Sequence, residues 1–142
     1  MASSPLDNLV RIGQLKIEPP AKAEIAGLIH SGRVRLKDAL NSTLALESRF
    51  DPAYNAAHAL SLAALRWHGY RSENRYLVFQ TLTHTLALEA AQWRILDQAH
   101  RKRNLAEYEG DLEVDEALVT ALIRVAQEMA GRVTALGPAP QE

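Results

Sequence analysis

Apolar residues recur along this chain at three- and four-residue spacing, the period of helices with one buried face. Ile25, Leu28, Ile29, Val34, Leu36, Leu40 and Leu44 outline a first helix, which Pro20 can open because proline suits the first helical position. Ser31-Gly32 falls inside it as a point where a kink or break is expected. Asp51-Pro52, a capping carboxylate followed by proline, reads as the start of the next helix, which runs to His68. Eleven of the fifteen residues from 53 to 67 are apolar, so this should be the central, most enclosed helix, with Leu60 and Ala64 nearly fully buried. Its alanines let neighbours come close, and Gly69 supplies a left-handed stop.

A third helix is predicted over about Asn74–Thr85. The pattern continues through Leu88, Ala91, Ile95, Leu96 and Leu105 to Gly110, as one long helix or as two meeting near Thr85–Leu88. Val114-Asp115-Glu116 opens a last helix, with Leu118, Leu122, Val125, Met129 and Val133 on one stripe. No segment alternates with period two for long enough to make a strand. The expected class is therefore all-α, a single bundle of about five helices over residues 20–136. Residues 1–19 read as an N-terminal arm whose Leu6, Leu9, Val10, Ile12, Leu15 and Ile17 can pack on the body, and residues 137–142 as a tail.

Composition narrows the chemistry. The 142 residues suit one domain with a core of its own, and the absence of cysteine removes disulfides, thiolate nucleophiles and cysteine metal sites. A net charge of -1 argues against a polyanion binder working by bulk charge, so any nucleic-acid contact has to come from a local patch. Apolar runs of only a few residues predict no membrane span. The first residues lack a basic stretch followed by an apolar one, so no signal peptide and a cytoplasmic location are expected. The five histidines, His30, His58, His68, His84 and His100, form no HExxH or i, i+4 pair, so no metal site is expected. His58 reads as a hydrogen-bonded core residue, and His84 as a candidate facing a cleft beside Arg101. The acidic run Glu107, Glu109, Asp111, Glu113, Asp115, Glu116 is not a calcium loop, because Glu116 stands where an EF-hand starting at Asp111 needs glycine. These acids suit the N-terminus of the last helix instead.

The sharpest feature is His100-Arg101-Lys102-Arg103-Asn104, with Tyr108 one turn further on. One reading is a solvated helix end, with Asp97 and Arg101 as an ordinary i, i+4 ion pair. The other is a patch that binds phosphate and stacks on a base. Arg101, Asn104 and Tyr108 share a helix face. Arg103 sits about 200° round from Arg101, so it is expected to reach across a dimer or to pair with Glu107.

Three stretches together resemble the HEPN domains, small helical bundles widespread as the toxin halves of toxin–antitoxin pairs. They are Ala53-Tyr54-Asn55-Ala56-Ala57-His58-Ala59-Leu60 leading to Leu65-Arg66-Trp67-His68-Gly69-Tyr70-Arg71, then Thr83-His84-Thr85-Leu86-Ala87-Leu88, and last Arg101-x-Arg103-Asn104-x-x-x-Tyr108. The likeness covers roughly residues 23 to 135. It implies an up-and-down four-helix core and a homodimer with a shared cleft, for which Trp67, Trp93, Phe79 and Tyr76 offer apolar surplus. A nucleotidyltransferase-type antitoxin is the partner such toxins imply. Catalytic members carry arginine, four residues, histidine, one residue and tyrosine. With the tyrosine on Tyr108 the arginine falls on Arg101 and the histidine on Ala106, and alanine cannot transfer a proton. The resemblance thus implies a non-catalytic module without cofactor, binding a nucleotide, RNA or partner protein through Arg101, Arg103, Asn104, Tyr108 and His84. The alternative is a weak metal-independent ribonuclease using Arg101, with His100 or His84 in place of the missing base; Arg94 and His100 satisfy a looser spacing.

Overall fold

The computed structural model describes residues 4–110 and 114–140, with side chains for all of these except residue 4 and residues 107–109. In chain order the elements are α1 (Ser4–Arg11), β1 (Lys16–Ile17), α2 (Lys22–Ala39), α3 (Leu46–Trp67), β2 (Tyr70–Arg71), α4 (Arg75–Gln80), α5 (Leu82–Thr85), α6 (Ala90–Glu109) and α7 (Glu116–Ala135). The class is all-α. α3 is the axle: α2 and α7 pack along it, while α4, α5 and α6 close the remaining side. Leu60 and Ala64 are both 0% exposed, within a core shared by α2, α3, α6 and α7.

α3 begins five residues before the expected Asp51, and Pro52 lies inside it. Leu46 and Phe50 stand one turn apart, Phe50 is fully buried, and packing extends the helix past the proline. Arg49 Nε donates to the Ala39 carbonyl at 2.8 Å, pinning this early turn to the end of α2. Ser31-Gly32 neither kinks nor breaks α2, which starts at Lys22, two residues beyond Pro20. Gly32 is instead a notch for the neighbouring helix, since a Cβ there would lie 2.7 Å from Leu60 Cγ.

The predicted third helix divides into α4 and the single turn α5. Asn74 caps α4, its Oδ1 accepting from Leu77 N at 3.0 Å. A loop over Leu86–Glu89 then leads to α6, which ends at Gly110 in the left-handed region, φ 71°. Ala87 in that loop also has positive φ, 54°, although it carries a Cβ. The expectation of no strand misses a two-residue antiparallel pair, Lys16 with Arg71 and Ile17 with Tyr70. Strands this short leave no alternation to read.

The arm before Pro19 is docked. Leu6 and Leu15 bury with Leu65, Tyr70, Leu77 and Val78 in a second cluster. Tyr70 Oη donates to Asp7 Oδ1 at 2.6 Å, and burial together with that carboxylate pushes the tyrosine pKa up to about 12. Arg66, 1% exposed near the end of α3, gathers the segment before α2. Its Nε donates to Glu24 Oε1, and its two terminal nitrogens donate to the Glu18 and Pro19 carbonyls, each at 2.8 Å. Arg71 pairs with the same two carboxylates, Glu18 and Glu24.

The aromatic surplus is smaller than the sequence suggested. Phe79 is core, and Trp67 Nε1 donates to the Gly137 and Pro138 carbonyls. The exposed large apolar side chains are Ile12, Ile17, Val34, Leu40, Leu44 and Leu105 instead. No helix among the described residues is long and apolar enough to cross a membrane.

Candidate functional site

A polar cluster forms where α3, α4 and α6 meet. α3 contributes Tyr54 and His58, one turn apart on a helix otherwise dominated by alanine and leucine. α4 contributes Arg75 from its first turn, and α6 contributes His100, Arg103 and Asn104. Phe79 provides the apolar floor, its ring standing edge-on to Tyr54, His58 and His100.

His100 is the centre of a hydrogen-bonded relay. Its Nδ1 lies 2.9 Å from Tyr54 Oη, and its Nε2 lies 3.2 Å from Asn104 Nδ2. Tyr54, His100 and Asn104 thus form one continuous hydrogen-bonded chain, its donor and acceptor roles set by the imidazole tautomer. Two guanidiniums face the Tyr54 ring. Arg103 Cζ is 4.9 Å from its centroid and Arg75 Cζ is 5.8 Å away, both within cation–π range. Arg75 also donates to Asn55 Oδ1 at 3.4 Å.

The titration behaviour follows this geometry. Burial lowers the His58 pKa to about 4, and the charges of Arg75 and Arg103 push it the same way. Burial raises the Tyr54 pKa, while the two arginines pull it back. Among the described residues no hydrogen bond to the His58 ring is present, so it is not the bonded core histidine expected. The Phe79 ring stands at about a right angle to it, and the two arginines add positive charge nearby.

Beside the cluster Tyr76 extends the aromatic surface, its ring 5.1 Å from His100 and 6.1 Å from Trp93. Trp93 borders a cavity of about 330 Å³ lined also by Gln80, Thr83, Leu88 and Ala90.

The residues expected from sequence are only partly brought together. Arg103 and Asn104 join the cluster. Arg103 turns onto Tyr54 of its own chain, a contact the sequence reading did not foresee, while its expected pairing with Glu107 lies outside the described residues. Arg101 is 74% exposed, with its Nε 3.2 Å from Asp97 Oδ2, and both of these groups act on the Tyr76 hydroxyl rather than on Tyr54. The Asp97 contact is the ordinary ion pair of the simpler reading. His84 on α5 is exposed, and no hydrogen bond, ion pair or ring contact joins it to Arg101 or to the cluster. The Tyr108 and Glu107 side chains lie outside the described residues, as do Asp111 and Glu113. Asp115 caps α7, its Oδ1 accepting from Leu118 N. Tyr54, His58 and Arg75 were missed as site residues. The available signal was two hydrogen-bonding side chains at i, i+4 on a helix with almost no polar face. No group of three or more metal-ligating side chains is found among the described residues. The chain matches no family model, no curated protein and no solved structure.

Proposed function

We propose that this chain is a non-catalytic binding module of the HEPN type that holds a phosphate-bearing ligand, a nucleotide or RNA, at Arg75 and Arg103. The observation that carries this is the convergence of two guanidiniums, from two different helices, on one buried tyrosine ring. Guanidiniums present fixed forks of N–H donors, and a phosphate accepts charge-assisted hydrogen bonds from such groups.

Two observations support a binding role over catalysis. Ala106 has no group to move a proton, and both nitrogens of His100 are engaged by Tyr54 and Asn104. A histidine held in this way orders the site. The resemblance extends the proposal to a cytoplasmic homodimer with a nucleotidyltransferase-type antitoxin as partner, and exposed Leu105 on α6 is an apolar side chain such a dimer could cover. Light scattering that returns a monomer at high micromolar concentration would contradict the dimer.

The test is calorimetric titration with a mononucleotide and a short oligoribonucleotide. Arg75→Ala and Arg103→Ala should each weaken binding about 10- to 100-fold, the loss of a hydrogen bond to a charged group. Wild-type affinity for the oligonucleotide should fall as salt rises. Binding equal in wild type and both variants, or absent from wild type, refutes the proposal.

A further inference from the structure

We infer that the cavity bordered by Trp93 is a nucleobase subsite, and that the ligand reaching both it and the arginines is a short single strand of RNA. This rests on the phosphate reading above. The cavity is made as a planar heterocycle requires. The Trp93 indole and the Leu88 and Ala90 side chains supply apolar wall, while Gln80 and Thr83 supply an amide and a hydroxyl. Among the described residues neither of those two side chains makes a hydrogen bond, so both can serve the edge of a base. About 330 Å³ lies at the small end of ligand pockets, the size of one ring system.

A second, independent observation comes from the cavity's wall. Leu88 follows Ala87, whose φ of 54° lies in the left-handed region that a residue with a Cβ rarely adopts. The surrounding structure over-determines that conformation. One Arg132 nitrogen donates to the Leu86 and Ala87 carbonyls at 3.1 and 3.0 Å, and Leu88 N donates to the Leu82 carbonyl at 3.2 Å. His68 Nε2 holds the Thr85 carbonyl at 3.1 Å. Strain kept in place from three sides is characteristic of a preformed binding surface.

Spacing then selects the ligand. Trp93 and Arg103 are ten residues apart on α6, about 15 Å along its axis. The rings of Tyr76 and His100 line the interval. A stacked strand advances about 3.4 Å per nucleotide and an extended one further, so a phosphate at the arginines and a base in the cavity are about three to five nucleotides apart. A mononucleotide cannot occupy both.

The experiment titrates oligoadenylates and oligouridylates of one to six residues, with the Trp93 indole peak in a ¹H–¹⁵N spectrum, assigned from Trp93→Phe, as reporter. Affinity should step up about tenfold once the strand reaches three to five residues, the gain from one stacked base. The Trp93 peak should move from that length onward and the Trp67 peak should not. Trp93→Ala should remove the step and keep mononucleotide affinity; Gln80→Ala, at an exposed position, serves as a second variant if the first fails to fold. Affinity that rises smoothly with length, with Trp93 unmoved, overturns the subsite and leaves the phosphate reading standing. A Trp93 peak that responds to nucleosides while Arg75→Ala and Arg103→Ala change nothing overturns the phosphate reading and, with it, the strand length. No response to any length overturns both.

Discussion

α3 carries charge-bearing clusters at two points about 18 Å apart along its axis, and they are built in opposite ways. At Arg66 a buried guanidinium meets carboxylates from Glu18 and Glu24 and carbonyls from Glu18, Pro19 and Tyr70. Every one of those partners belongs to the arm, to the start of α2 or to the turn after α3, so the network fastens chain segments to one another. At Tyr54 two guanidiniums face an aromatic ring beside two histidines. The first cluster joins opposite charges and holds the fold. The second gathers two guanidiniums on one aromatic ring, an arrangement that suits a ligand of the opposite sign.

The sharpest way to break this comparison is to remove Arg66. Arg66→Ala should cost about 3–5 kcal/mol in chemical denaturation, because three carbonyls lose a buried charged donor while Glu18 and Glu24 keep only Arg71. Arg103→Ala, by contrast, should leave stability nearly unchanged and weaken ligand binding. If Arg103→Ala were the destabilising change and Arg66→Ala neutral, the two clusters would have been assigned the wrong way round.

The next effect is a pH dependence located in the Tyr54 cluster. His58 takes up a proton near pH 6.5 in the unfolded chain but only near pH 4 in the fold, where burial and then Arg75 and Arg103 oppose it. A depressed pKa gives stability that is complete above pH 6.5 and lost as pH falls from 6.5 towards 4. The full loss is about 3 kcal/mol. His68 is also held low by burial, partly offset by its bond to Thr85, and contributes in the same direction. The difference between wild type and His58→Asn isolates the His58 share. In an NMR titration the His58 ring should change protonation near pH 4, and a bound phosphate should shift that midpoint upward by neutralising the arginines. A ring that titrates at 6.5 would mean that neither burial nor the arginines act on it.

The two clusters also differ in how far the sequence betrayed them. Helical periodicity located α2, α3, α6 and α7, because each buries a face whose spacing is written locally. Asn74, Gly110 and Asp115 marked their helix ends through bonds or dihedrals within a few residues. Asp51-Pro52 misled, because the local start signal was outweighed by the packing of Leu46 and Phe50, which no local pattern reports. Ser31-Gly32 misled for the same reason, since what it provides is room for Leu60 on another helix. The candidate site was legible only in its α6 half. A helical wheel compares residues on one helix, and the Tyr54 cluster draws on positions 54, 58, 75, 100 and 103 from three helices. The wheel grouped Arg101 with Asn104 and left Arg103 aside, whereas Tyr54 and Phe79 place the cleft on the side that Arg103 and Asn104 share.

The smallest expected effect tests that last point. Arg101 was the arginine that the family motif singled out, yet it is 74% exposed and engaged with Asp97 one turn earlier on its own helix. An exposed i, i+4 pair is worth about 0.3–0.5 kcal/mol, because two solvated side chains gain little from meeting. Arg101→Ala should therefore change stability by no more than about that amount, measured by denaturation at low salt, where screening is weakest. It should leave mononucleotide affinity within about twofold of wild type, since a charge outside the cluster contributes only through screened distance. An oligonucleotide is a more demanding probe, because its flanking phosphates pass along the α6 surface and gain from each cation there. A modest loss seen with oligonucleotides alone would make Arg101 part of the track leading to the site. A tenfold loss with a mononucleotide would move the phosphate from Arg75 and Arg103 to Arg101, and the division drawn between the two clusters of α3 would have to be redrawn around the end of α6.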